Sequence, residues 1–313
     1  MVSPDIGSLL LTFSTRFLGI FIEALSFLLL GTLISGLIGV FVNKEDMARL
    51  VPRNVIVATL VGSLLGFLFP VCECGVVPVT RRLYQKGLPL HVGITFLLAA
   101  PVMNPMALVS TYVAFGWGPI LIGRYVISWI MAISVGLLFS LEDHPQRVML
   151  PQALPGISGG SSGVPAMSIP TKRAALLPGL KQALKLASEE FAEMGRFLVV
   201  GAFLAALMQT FVPQETIKVL ATNPLNSVLV MAGLAFLLSL CSTADAFLAL
   251  SFARTFTTGS ILTFLTFGPM VDIKTTMMYL GTFRRRTVAF MIILPFLMSV
   301  LAGLWLNLNL KSF

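Results

Sequence analysis

The chain has 313 residues, 57% hydrophobic and 11% charged, with a net charge of +8 and a mean hydropathy of +0.94. A soluble domain carries roughly 25% charged residues, so the composition excludes one; long apolar runs point instead to membrane spans of about 20 residues each. The excess of Lys and Arg reads as loops held on the cytoplasmic face, not as a nucleic-acid footprint, and three cysteines are too few for a secreted disulfide framework.

No basic segment followed by a short apolar core and a cleavage site opens the sequence, so no removable signal peptide is expected. The first apolar run extends from about Phe17 to Val42 and is followed by a charged loop with Lys44, Glu45, Asp46, Arg49 and Arg53. A second run reaches Pro70 and meets Cys72-Glu73-Cys74-Gly75, where Pro70, Gly75 and Pro78 predict an interrupted helix, because an internal proline removes a backbone hydrogen bond. The third run, about Leu90 to Phe115, is broken by Pro101-Val-Met103-Asn104-Pro105, and the fourth runs from about Pro119 to Leu141. Residues 143–185 then turn basic and rich in Gly, Ser and Pro, which predicts a flexible cytoplasmic linker. Four further runs follow, near Phe191 to Phe211, Leu225 to Leu240, Ile261 to Leu280 and Val288 to Leu308.

This division, residues 1–142, linker, residues 186–313, suggests a duplication. The segment FIEALSFLLLG at Phe21 lies over FAEMGRFLVVG at Phe191, Cys72 over Cys241, TFLLAAP at Thr95 over TFLTFGP at Thr263, and Asn104 over Asp272. If the segments centred on Cys72 and Cys241 enter and leave on the same side, each half crosses three times and the repeats are inverted. That arrangement gathers Lys44, Arg49, Arg53, Arg81, Arg82, Lys86, the linker and Arg284 to Arg286 on one face, leaving Arg16, Lys218 and Arg254 opposite. Parallel repeats share the cations more evenly, so the positive-inside rule favours inversion. The expected fold is an all-α polytopic membrane protein of two homologous repeats, each with broken or re-entrant helices.

Interrupted apolar segments at corresponding places in two halves point to a transporter binding site, since irregular backbone at membrane depth must be buried in protein or line a polar cavity. The breaks carry Cys72, Glu73, Cys74, Pro101, Met103, Asn104, Pro105, Cys241, Ser242, Thr243, Asp245, Pro269, Met270, Asp272 and Lys274. Thiolate and thioether ligands select Cu(I) and zinc and suit trivalent arsenic by the same softness. Cys72, Cys74 and Cys241 are therefore the candidate metal or metalloid ligands, against the alternative that a free Cys is a small buried hydrophobe. Glu23, Glu193, Asp245 and Asp272 are candidate proton carriers; Glu23 and Glu193 equally suit an interfacial role, and Lys274 a neutralising one beside Asp272. His91 and His144 fit interfacial or solvated positions better than ligation, and Arg284 to Arg286 fit a surface anchor.

PVCECGVVPVTRRLYQKGLPL followed by TFLLAAPVMNPMAL, with CSTADAFLALSF and TFGPMVDIKT in the second half, closely resembles the predicted-permease family of the YraQ-like proteins and the arsenic permease ArsP. The resemblance covers nearly the whole chain. It implies a multi-pass bacterial inner-membrane permease for trivalent organoarsenicals, zinc or copper, in some members beside a second membrane subunit, with Cys72, Cys74, Pro101, Asn104, Pro105, Cys241, Asp245, Pro269 and Asp272 as motif residues.

The leading expectation is a secondary transporter without a resident cofactor, exporting a thiophilic metal or metalloid. It is expected to contact a small inorganic or organometalloid substrate and the lipid bilayer, alone, as a homodimer or with a second subunit, and no nucleic acid. No Walker-type phosphate loop is present to couple ATP. Two other classes stand beside it. One is a membrane thiol oxidoreductase using Cys72 and Cys74, which requires a reactive thiol beside a resolving one; the other is a binding subunit that needs a partner for transport.

Overall fold

A computed structural model describes residues 6–43, 47, 51–52, 54–68, 72–141, 148–150, 176–211, 223–253 and 255–309. Pro70, Lys44, Arg49, Arg53, Lys218, Arg254, His144 and most of the linker lie outside them. The first half contains α1 (Ile6–Phe41), α2 (Val55–Leu68), α3 (Glu73–Gln85), α4 (Leu90–Met103), α5 (Pro105–Phe115) and α6 (Pro119–Phe139). The second contains α7 (Leu176–Phe211), α8 (Pro224–Leu238), α9 (Ala244–Phe252), α10 (Thr258–Phe267), α11 (Ile273–Thr282) and α12 (Arg285–Asn309). The residues form helices because backbone polar groups in lipid must be satisfied within the segment.

α1, α4 with α5, α6, α7 and α12 are long and apolar enough to cross a membrane. α3 and α9 hold 13 and 9 residues, well short of the roughly 20 that a crossing needs. The protein is a polytopic all-helical membrane protein, with Leu18, Ile22 and Leu29 on α1 and Phe290, Ile293 and Leu297 on α12 among the large apolar side chains facing outward.

Contacts fix the helix directions. Phe13 and Phe17 meet Phe203, Ser35 donates to Glu190 and Gly36 faces Ala183, so α1 and α7 pack antiparallel along their lengths. Gly31 faces Gly75, Gly39 faces Arg82 and Ser35 Oγ donates to the Pro78 carbonyl at 3.3 Å, so α1 and α3 run parallel. Gly62 faces Val92 and Gly66 faces Ala100, which makes α2 and α4 parallel. Between them α3 returns, forming a hairpin with α4 around Gly87 (φ +96°), where Tyr84 Oη donates to the Leu90 carbonyl at 3.1 Å. Only a glycine adopts that φ without strain. In the second half Ser227 meets Ser260 at 2.7 Å and Ala235 faces Gly268, so α8 and α10 are parallel. Thr95 against Gly136 and Thr263 against Gly303 are matching contacts of α4 with α6 and of α10 with α12.

Arg81, Arg82 and Lys86 end α3, while Arg284 to Arg286 introduce α12. Both lie at the end of the bundle where Leu150 N–H donates to Thr282 and Arg284 N–H to Val148. Arg16, reaching the Gln209 carbonyl, is at the opposite end.

Three sequence expectations change. α3 runs unbroken through Gly75 and Pro78 and begins at Glu73; it packs closely along α1 at Gly75 and Arg82 and stays helical where proline alone predicts a stop. Pro101 likewise lies inside α4, and the break falls at Asn104. α7 starts at Leu176, so the last ten residues of the expected flexible linker are helical, because Ala183 and Ala187 are buried against α1.

Candidate functional site

Each half contributes two interruptions, and side chains from both halves meet in the interior. Cys72 caps α3 with extended backbone, its carbonyl accepting from Gly75 and Val76 at 3.0 and 3.1 Å. This places Glu73 and Cys74 in the first helical turn, both buried. At the second interruption Asn104 Oδ1 accepts from Met106 N–H at 2.9 Å and Pro105 takes the first helical position, where its missing N–H costs nothing.

In the second half the Cys241 carbonyl accepts from Ala244 and Asp245 at 2.9 and 3.0 Å, and Thr243 Oγ1 donates to Cys241 Sγ at 3.5 Å. Asp272 closes a capping box on α11. Its Oδ1 accepts from Thr275 N–H at 2.6 Å, and Thr275 Oγ1 accepts from Asp272 N–H at 3.0 Å. Asn104 and Asp272, at corresponding places in the two halves, are thus both helix N-caps.

Two of the ion pairs that cross between the halves lie at the breaks. Lys274 Nζ donates to Glu73 Oε1 at 3.1 Å and lies 3.5 Å from Asp272 Oδ2. Arg124 Nη1 and Nη2 each donate to Asp245 at 3.0 Å, with further bonds to Thr111 Oγ1 at 2.8 Å and the Ser242 carbonyl at 3.0 Å. A guanidinium fork matches a carboxylate in this bidentate way, and a lysine does not. Arg124 is wholly buried and escaped the sequence reading. Its signal was a lone cation inside the apolar run from Pro119 to Phe139.

Close backbone approach holds the first pair. A Cβ on Gly31 would overlap the backbone of Gly75, and one on Gly201 would lie 2.9 Å from Lys274 Cα. Gly31 and Gly201 close the matched segments that begin at Phe21 and Phe191.

Cys72, Cys74 and Cys241 are free, buried and part of one contiguous core with Met270, against which Met103 packs. Among the described residues, no group of three or more His, Cys, Asp or Glu side chains is gathered to hold a metal ion. The three thiols therefore share a core without forming a finished ligand set. Pro269 is buried, while Pro105 and Thr243 are half-buried. Glu23 is exposed, whereas Glu193 pairs with Arg81 at 2.8 Å, next to Arg82 and Glu190 at 3.3 Å. Corresponding sequence positions thus have unlike surroundings. A cavity of about 970 Å³ lined by Leu138, Phe139, Arg284 to Arg286 and Phe290 opens at the basic end, away from these breaks.

The profile of the family described as Predicted permease matches residues 9–308. The chain belongs to this permease family. Among its relatives is the UPF0718 protein YcgR of Bacillus subtilis, 43% identical over 94% of this chain and 96% of that protein. A Streptococcus mutans protein described as a subunit of a two-component membrane permease complex is 38% identical over 86% of each chain. YraQ of Escherichia coli is 26% identical over 37% of this chain and 34% of its own. No solved structure matches. Membership makes this permease a transporter rather than an enzyme.

Proposed function

We propose that this permease is a secondary transporter of the bacterial inner membrane, built from two inverted repeats, that exports a soft metal or metalloid species such as trivalent arsenic, zinc or Cu(I). The observation carrying this reading is the gathering of four chain breaks, three thiols and, beside them, two ion pairs between the halves inside a largely apolar bundle. Unwound backbone and buried charge at membrane depth are costly and mark a pathway.

Inversion is supported by the antiparallel packing of the corresponding helices α1 and α7, and by α2 and α3 turning back before α4 crosses. The end that carries Arg81, Arg82, Lys86 and Arg284 to Arg286 is cytoplasmic by the positive-inside rule. Cys72, Cys74 and Cys241 contact the soft centre as a rearrangement of the breaks draws them together. Asn104, Pro101, Pro105, Ser242, Thr243 and Pro269 shape the path, and Asp272 is a better proton carrier than Asp245, whose carboxylate is fully engaged by Arg124. The name of the Streptococcus mutans relative supports a second membrane subunit as partner.

The test is uptake of arsenite, zinc or Cu(I) into inverted proteoliposomes containing the full chain, alone and with a candidate partner subunit. Transport of one of these that is lost when all three cysteines become serine supports the reading. Undiminished transport by the cysteine-free chain sinks the thiol site, and transport appearing only with the partner makes this chain one component of a complex.

A further inference from the structure

The cavity at the basic end lies between α6 of the first half and α12 of the second. Its volume of about 970 Å³ is at the upper end of what small-molecule sites enclose. Arg284, Arg285 and Arg286 line one end of it, all exposed. Leu138, Phe139, Phe290 and Leu294 line the remainder, with Leu138 48% and Phe290 58% exposed. From Arg285 to Leu294 this wall descends about 13 Å along the helix, most of the roughly 15 Å of hydrocarbon in one leaflet. One side is pinned by hydrogen bonds. The Val148 carbonyl accepts from Arg284 N–H at 2.9 Å and from Thr287 Oγ1 at 3.1 Å, and Arg284 Nε donates to the Met149 carbonyl at 3.4 Å. Arg284 is thereby part of the frame. Among the described residues no carboxylate pairs with any of the three arginines, and Glu142 and Asp143, which follow Leu141 in the chain, lie outside those residues.

Cations without a carboxylate partner, set above an apolar wall open to the bilayer, complement an amphiphile with an anionic head and long chains. A free anion leaves the wall unused, and a neutral lipid leaves the arginines unused. Basic pockets between transmembrane helices hold anionic headgroups, and a guanidinium fork matches phosphate oxygens. We propose that this cleft binds one anionic phospholipid from the leaflet at the basic end. Its phosphate rests on Arg285 and Arg286, and its acyl chains run along Leu138, Phe139, Phe290 and Leu294. Because α6 and α12 belong to different halves, the bound lipid ties the halves together at that end. The site is remote from the breaks and stands whatever species is transported.

The experiment titrates dioleoyl phosphatidylglycerol into the delipidated full chain in neutral detergent micelles, read by native mass spectrometry and by thermal unfolding of the same samples. The expected result is one saturably bound lipid per chain that raises the unfolding temperature. Dioleoyl phosphatidylcholine, with the same chains and no net charge, should bind about tenfold or more weakly. Arg285→Gln combined with Arg286→Gln should weaken phosphatidylglycerol binding about tenfold or more and abolish the thermal shift. Unfolding without lipid should stay where it was, since both side chains are exposed. Arg285→Lys with Arg286→Lys should keep the affinity within about threefold, because the charge remains. Equal affinity for the two lipids, or a double glutamine variant that binds phosphatidylglycerol as wild type does, overturns the proposal. So does displacement of the lipid by millimolar inorganic phosphate, which makes this a free-anion site. A gain of about tenfold in Glu142→Gln with Asp143→Asn also overturns it, by showing that the chain's own carboxylates occupy the arginines. None of these readouts involves transport, so the thiol-dependent export is judged separately by its vesicle assay.

Discussion

Arg124, on α6, and Asp245, in the first turn of α9, face each other through two parallel hydrogen bonds of 3.0 Å and are buried in opposite halves of the chain. Removing one member leaves the other charged and unpaired, which costs about 3–5 kcal/mol. Arg124→Met is therefore expected to lower the unfolding temperature of the purified protein sharply, and Asp245→Asn to do so less, since an amide still accepts a hydrogen bond. The double replacement Arg124→Met with Asp245→Leu should recover much of the loss. A double variant destabilised by the sum of the two single effects, followed by size exclusion after heating, would show that the pair is not coupled.

The glycine contacts give a graded series. A Cβ at Gly31 overlaps backbone of Gly75, which cannot step aside, whereas Gly195 on α7 has open space around its Cβ position. Gly31→Ala should force α1 from α3 and destabilise by about 1–3 kcal/mol, as overpacking does. Gly195→Ala should be neutral or stabilise by up to about 1 kcal/mol through helix propensity. Thermal unfolding of the two variants side by side decides it; a harmless Gly31→Ala would mean that the two helices do not touch at this point.

At the two N-caps, Asn104→Ala is expected to cost about 1 kcal/mol from loss of the bond to Met106 N–H. Asn104→Ser should cost only a few tenths of that. Asp272→Ala should cost more than Asn104→Ala, because its capping box holds both Thr275 bonds and its carboxylate lies beside Lys274. Chemical unfolding in mild detergent measures all three, and an Asn104→Ala variant as stable as wild type would show that the cap adds nothing to stability.

Sidedness is checked in a cysteine-free background. Trp117, 79% exposed between α5 and α6, and Arg285 lie at opposite ends of the bundle. An impermeant maleimide added to intact cells should label Trp117→Cys and leave Arg285→Cys unmodified until the membrane is opened. The reverse pattern would invert the orientation, and labelling of both from outside would contradict the helix directions.

Much of the architecture was legible in the sequence. Spans and the break at Asn104 follow from apolar run length and proline spacing, because lipid demands continuous apolar helices of a set length. Pro78 misled for an equally physical reason: local propensity predicts a stop, but α3 packs closely along α1 and stays helical through it. Among the candidate site residues, the carboxylates and thiols were visible as polar groups in apolar surroundings. Arg124 was just as visible in principle, yet it stood in an unbroken run where the spacing of breaks gave no cue.

The matched positions of Glu23 and Glu193 show where sequence correspondence ends, since one is exposed and the other bridges to Arg81. By itself the sequence determined the apolar composition, the order of helices, the clustering of basic residues and the short set of polar candidates within apolar runs. Those are local or additive properties of the chain. Tertiary structure alone decided that Lys274 reaches Glu73 as well as its neighbour Asp272, that Arg124 takes Asp245, and that α1 lies antiparallel to α7. Each of these pairs residues far apart in the chain, and the choice is made by the packing of glycine surfaces and the cost of leaving a buried charge alone.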